Sequence, residues 1–261
     1  MVMAFAVPAY LVVVNVFKGS SDIVGSPLGL PVERLTLSNV ERAFAIRSLD
    51  LRLAYAFTGF VTVVTVALVV MLGSMLSYWI ARRNDARALG IHVLLLAGLM
   101  VPPQAVVIPV VKVLAAIGLL NSPIGLLAYD VAIYLPLATF VYVGFVRTLP
   151  RELEEAAAMD GAGPVAAYWH VVFPLLTPAS ASLSVLLAVF VWNDFLSPSI
   201  ILGPTGAYTI TTGVYRAVGL YSTDWGLIFT FVCLASAPMI LLFLAFQRFI
   251  VSGLTGGALK G

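Results

Sequence analysis

Between Arg52 and Arg82 no residue carries a charge. An uncharged apolar stretch of that length crosses a bilayer as a helix, because about 20 residues suffice and the hydrocarbon core offers no water to an open backbone. Its β-branched run, residues 61–70, suits a helix that faces lipid. Similar runs recur along the chain. With 61% hydrophobic and 10% charged residues and a mean hydropathy of +1.06, the chain is too apolar for a soluble domain. It reads as one all-α membrane domain of 261 residues, with six spans at about 1–17, 53–80, 91–117, 126–146, 179–202 and 226–246. The first is short for a crossing, but with no basic lead and no small-residue cleavage pattern after it, it reads as a span rather than a signal peptide. Six spans put both termini on one side.

The connections are polar. Residues 18–52 form the first long one, in which Ser38 and Glu41 have capping-box spacing, predicting a short surface helix. A turn over 81–90 holds Arg82, Arg83 and Arg87, and Pro102, Pro103 and Pro109 must interrupt the third span. Pro136 lies in the fourth. Residues 203–225, rich in Gly, Thr and Tyr, make the second long connection on the side of 18–52. The net charge of +2 comes with no basic tract, which excludes nucleic acid as a partner. The single cysteine, Cys233, excludes an internal disulfide. No internal repeat marks the chain as an inverted-repeat transporter.

The densest polar pattern lies within residues 148–178. Four of the twelve acidic residues, Glu152, Glu154, Glu155 and Asp160, fall there. Pro150 is placed to open a helix, the three glutamates sit at its positive dipole end, Ala156, Ala157 and Ala158 extend it, and Gly161 ends it in a left-handed turn. Helical spacing puts Leu153, Ala156 and Ala157 on one side and Glu152, Glu155 and Met159 on another. Pro164 then opens a second short helix that Pro174 and Pro178 end. Helix chemistry alone is equally compatible with a capped surface hairpin between two spans.

The order of residues is more specific. Glu155-Ala156-Ala157, Gly161 after three intervening residues, Val171 after nine more, and Phe173-Pro174 resemble the cytoplasmic loop of ABC importer permeases. Val171 and Phe173 stand where Ile and Leu are commoner. Trp192-Asn193-Asp194-Phe195 is similar to a sequence in sugar and polyol permeases, the glycine-rich ending 253–261 to their carboxyl-terminal tails, and the Pro109 region with Gly118-Leu119 and Asn121 also fits. Together they resemble the shorter permease subunit of the maltose-type carbohydrate branch.

That resemblance implies a coupling helix carrying Glu152, Glu155, Ala156, Ala157, Asp160, Gly161 and Pro174 that seats in a separate ATPase subunit, with tail contacts from Gly256 and Lys260. A disordered terminus is the other reading of the tail. The chain has no Gly-x-x-x-x-Gly-Lys-Ser/Thr sequence. It is thus expected to be no enzyme and to hold no cofactor, ATP and Mg being bound by partners. The implied partners are an ATPase dimer, a second homologous permease subunit and an extracytoplasmic solute-binding protein that meets 203–225. The implied location is a prokaryotic cytoplasmic (inner) membrane with both termini in the cytoplasm. Arginine and lysine counts give seven against six between the two sides and decide nothing.

Polar residues inside spans usually face a cavity or each other, making Gln104, Tyr129, Asp130, Tyr134 and Asn193 candidates for a substrate path. Asp130 is placed either to meet a sugar hydroxyl or to pair with Lys112. Tyr129, Tyr134 and Trp192 are candidates to stack on a sugar ring or to pack in the core. Asp194 and Asn193 read as braces. His92 and His170 are far apart, and Asp130 with Asp194 is the only pair an intramembrane hydrolase would have. One or other of these carboxylates, Asp130 or Asp194, would carry protons in a stand-alone ion-coupled transporter, the alternative to an ATP-driven importer.

Overall fold

The computed structural model describes residues 2–31, 35–46, 49–203, 205–221 and 223–258, with side chains described between 6 and 246. The elements among these residues are helical, and no strand occurs. In chain order they are α1 (Val2–Val16), α2 (Ser20–Gly25), α3 (Ser38–Ala45), α4 (Leu51–Arg82), α5 (Ala86–Leu99), α6 (Pro103–Ala116), α7 (Pro123–Thr148) and α8 (Glu152–Met159). There follow α9 (Pro164–Ala167), a π-helical turn (Tyr168–Val172), α10 (Phe173–Leu175), α11 (Thr177–Asn193), α12 (Leu196–Ile201), α13 (Ile210–Leu220) and α14 (Trp225–Ala258).

Among the described residues, three helical stretches are long and apolar enough to cross a membrane: Leu51–Arg82, Pro123–Thr148 and Trp225–Phe246. Two further candidates are bent pairs. The expected third span, 91–117, is divided between α5 and α6, which meet at 112°. Pro102 and Pro103 fall at the corner and supply no N–H to continue the ladder. In the other pair Pro164–Leu175 joins α11 at 71°. The expected fifth span is likewise divided, with α11 ending at Asn193 and α12 following.

The centre is the pairing of α4 with α7. Gly73 sits where an added Cβ would lie 2.7 Å from the Cβ of Ala138, so the backbones approach as only a glycine permits. Ser77 donates to the Thr139 carbonyl at 3.3 Å across the same contact, and Tyr142 of α7 reaches Ser180 of α11 at 2.7 Å. Val69, Tyr142, Val146, Tyr168 and Leu183 form the apolar core there. At the other end of α4, whose first residue Leu51 lies about 33 Å along the helix from Gly73, Leu49, Trp192, Ile210 and Phe231 form a second core. The third, with Val61, Leu126, Tyr129, Val191 and Ile201, lies between α4, α6, α7, α11 and α12.

Proline inside α14 is accommodated by its neighbours. Pro238 has no N–H for the carbonyl of Leu234, and Tyr55 of α4 donates to that carbonyl at 2.5 Å instead. Trp192 donates to the next carbonyl, Ala235, at 3.0 Å.

The connections depart from expectation in three places. Ser38 is not a cap, since Leu37 holds that position and Ser38 N–H donates to the Thr36 hydroxyl at 3.1 Å. Pro150 precedes α8, whose N-cap is Arg151. The connection 203–225 contains α13, packed on α14 and α4.

Candidate functional site

The elbow formed by α8, α9, the π turn and α10 follows directly from its residues. Glu152, Glu154 and Glu155 occupy the first turn of α8, where the dipole favours carboxylates. At its end Gly161 takes φ 84°. Gly161 N–H donates to Ala158 at 3.0 Å and Ala162 N–H to Ala157 at 2.9 Å, the paired bonds of a Schellman motif.

Glu154 ties this helix to the membrane domain. Its Oε1 accepts from Arg82 Nε at 2.7 Å and pairs with Arg82 Nη2 at 2.5 Å, and its Oε2 accepts from Tyr78 at 2.8 Å. Arg82 also donates to the Leu149 carbonyl at 3.1 Å. The two charged side chains are only 14% and 18% exposed, so solvent screens the pair weakly. Sequence reasoning did not select Glu154. The available signal was its failure to fit either face of the helix.

The second arm is fastened a little further along the same helix. Tyr168, 3% exposed, shares a 2.7 Å hydrogen bond with Ser74, and its ring lies 5.4 Å from Tyr78 and 5.0 Å from Trp169. Phe173 N–H closes the π turn on the Tyr168 carbonyl. Pro174 follows, with no N–H and a ring that would collide with the carbonyl four residues back, and the wider turn makes room. Both arms of the elbow therefore grip residues 74–82 of α4.

The outer rim is open. Glu152, Glu155, Ala156, Asp160, Gly161 and Pro174 are exposed, Ala157 is half-buried, and the three carboxylates have no side-chain partner among the described residues. Met159 is 89% exposed beside them, and Val165 is exposed too. The rim thus combines apolar contact area with unpaired negative charge. His170 bonds the Ala166 carbonyl of its own helix at 2.9 Å.

Towards the opposite end lies a cavity of about 520 Å³. It brings together Gln104, Tyr129, Tyr134 and Asn193, with Phe190 and Asp194 beside them. Tyr134 and Phe190 stack with centroids 6.1 Å apart, and the Tyr129 hydroxyl donates to the Pro103 carbonyl at 3.4 Å. Asn193 donates to the Val189 carbonyl at 2.8 Å and keeps its amide oxygen for other partners. Asp194 Oδ1 accepts from the N–H groups of Leu196 and Ser197 at 3.0 and 3.3 Å, capping the turn into α12, while Thr211 donates to its carbonyl at 2.7 Å.

Asp130 is not in the cavity wall. It is 3% exposed, on the buried side of α7. The pairing with Lys112 does not form, because Lys112 is exposed on α6 while Asp130 lies on the buried side of α7. Trp192 is also committed elsewhere, its ring N–H held by α14. Gly256 belongs to the last turns of α14, and Lys260 lies outside the described residues.

On the far surface Arg42 of α3 pairs with Asp224 at the start of α14. Ile210 N–H, at the start of α13, donates to Thr58 of α4 at 2.8 Å, and Arg216 lies 4.9 Å over the Tyr208 ring. Tyr215 and Leu220 of α13 point to solvent.

A family model described as "binding-protein-dependent transport system inner membrane component" matches residues 70–256. The chain is 30% identical over 259 residues to the melibiose/raffinose/stachyose import permease protein MelC of Bacillus subtilis (strain 168), covering 99% of this chain and 92% of that one. It is 29% identical over 253 residues to the probable starch degradation products transport system permease protein AmyC of Thermoanaerobacterium thermosulfurigenes, with 97% and 91% covered. Among solved structures, a chain of a bacterial ABC transporter involved in the import of the acidic polysaccharide alginate superposes with a TM-score of 0.82 at 18% identity, over 95% of this chain and 91% of that one. The last likeness concerns the fold alone.

Proposed function

The chain belongs to the family of binding-protein-dependent transport system inner membrane components, and on that premise we propose that it is the permease subunit of an ATP-driven importer for a sugar or polyol. It is a multi-pass membrane protein and a transport component rather than a catalytic subunit. ATP is hydrolysed in a separate ATPase dimer, a second homologous permease completes the path, and an extracytoplasmic solute-binding protein delivers the solute to the surface around α13. The elbow and both termini face the cytoplasm. Membership in this family favours the importer over an ion-coupled carrier.

The observation that carries the coupling mechanism is the double attachment of the elbow to one stretch of α4, through Glu154 to Arg82 and Tyr78 and through Tyr168 to Ser74. A displacement at the exposed carboxylate rim cannot stay local, because both arms would carry residues 74–82 with them. The close α4–α7 contact at Gly73 extends the rigid body to the helix that bears Tyr129 and Tyr134. Rigid-body transmission through a helix is a common way for a small movement at one site to switch access at another. The cavity suits the class of solute: two tyrosine hydroxyls and the amides of Gln104 and Asn193 offer hydrogen bonds, and the Tyr134–Phe190 stack offers an apolar face.

The test is uptake in proteoliposomes containing this chain, the second permease, the ATPase and the binding protein. Uptake is expected to require internal ATP and to be lost in Glu155→Lys with the assembly intact. Uptake driven by an ion gradient without ATP would overturn the proposal.

A further inference from the structure

At the elbow end a second cavity, of about 340 Å³, opens between the α4–α5 turn and the end of α7. Its wall contains Arg83, Asn84, Asp85, Leu89, His92 and Arg147. Two guanidinium groups thus face one carboxylate, and that carboxylate is already engaged. Asp85 Oδ1 accepts from Ala88 N–H at 2.8 Å as the cap of α5, and its Oδ2 meets Arg83 at 3.4 Å in a half-exposed pair. Arg147 has no carboxylate partner among the described residues. The Nδ1 of His92 is buried without a hydrogen-bond partner. The cavity accordingly presents unfilled donors and an excess of positive charge.

We propose that this cavity binds the phosphodiester of an anionic phospholipid. A phosphate oxygen can accept from His92 Nδ1–H and a guanidinium can engage a phosphate through two parallel N–H groups, so Arg147, Arg83 and His92 supply the chemistry a phosphate needs. The surroundings select a lipid over a soluble anion. Arg83 lies 5.0 Å over the ring of Trp79, an aromatic and cation pair of the kind that marks the headgroup level of a bilayer. From the cavity mouth Leu89 and Val93 continue outward along α5 as exposed apolar side chains, a wall against which an acyl chain can lie. Basic pockets between membrane helices are known seats for acidic headgroups. The assignment needs only that the cavity lie at one face of the membrane domain, and it stands or falls independently of the solute carried.

The test is native mass spectrometry of the assembled transporter after exchange into mixed micelles of phosphatidylglycerol and phosphatidylcholine. Wild type is expected to retain one phosphatidylglycerol in preference to phosphatidylcholine. Removing both guanidinium groups in Arg83→Gln/Arg147→Gln should weaken that retention about thirtyfold, whereas Arg147→Lys should keep most of it. Equal retention of the two lipids by wild type overturns the proposal whatever the variants do. So does undiminished phosphatidylglycerol retention by the double variant. Displacement of the lipid by millimolar inorganic phosphate, with no dependence on acyl chains, would assign the cavity to a soluble anion and overturn the lipid assignment.

Discussion

Glu154 and Arg82, 72 positions apart in sequence, meet through a 2.7 Å hydrogen bond at the inner corner of the elbow. The other acidic residues of α8 face outward. The acidic cluster therefore has two tasks: one carboxylate holds the helix to the membrane domain, and the rest are left for whatever docks against it.

Glu154→Gln keeps the shape and removes the charge. It leaves Arg82 without its counterion in a poorly screened position, at a cost of about 1–3 kcal/mol. Transport is expected to fall at least tenfold while the ATPase still binds and hydrolyses ATP. Wild-type uptake by this variant would remove Glu154 from the coupling path.

Tyr168→Phe deletes only the hydroxyl that meets Ser74. The loss is about 1 kcal/mol, with Ser74 still bonded to the Val70 carbonyl. Tyr168→Ala also removes a buried ring and should cost about 3–5 kcal/mol. Thermal unfolding in detergent orders the three proteins, and equal midpoints for the Phe and Ala variants would contradict the packing described here.

Gly73→Ala puts a methyl group 2.7 Å from Ala138. Overpacking of that kind costs about 1–3 kcal/mol. Ala138→Gly in the same chain should recover most of the loss. A double variant no more stable than Gly73→Ala would mean that the two helices do not meet at this point.

Asn193→Ala removes a cavity amide and should raise the half-saturation concentration for uptake roughly fivefold, the worth of one hydrogen bond. Asp130→Asn, behind the wall, is expected to leave that concentration within about twofold and to act on stability instead. Measured together, a larger shift for Asp130→Asn than for Asn193→Ala would return Asp130 to the solute path.

Much of this architecture is written locally and so could be read from residues. The run between Arg52 and Arg82 needs only its own composition to be a spanning helix, and Gly161 needs only its neighbours to end α8. What escaped depends on distant partners. Nothing near Glu154 names Arg82, and nothing near Asp130 says that α7 turns it away from Lys112. Pro102 and Pro103 announce a break but carry no angle, which is set by how α5 and α6 pack on the rest. At Ser38 the local pattern misled because the Thr36 hydroxyl takes the Ser38 N–H. In the cavity, four of the five selected residues come together, since polar side chains in apolar helices share the same few places free of lipid.

The π turn at Tyr168–Val172 has a consequence for the ruler length of its segment. Excising one residue there would restore ordinary winding with little net rotation, because the five residues of the π turn sweep about the same angle as four of an α-helix, so Leu183 and Leu187 keep their side of the segment and the Tyr142 hydroxyl keeps Ser180. What such a deletion takes away is the room for the Pro174 ring, so a chain one amino acid shorter in this stretch has to exchange that proline as well.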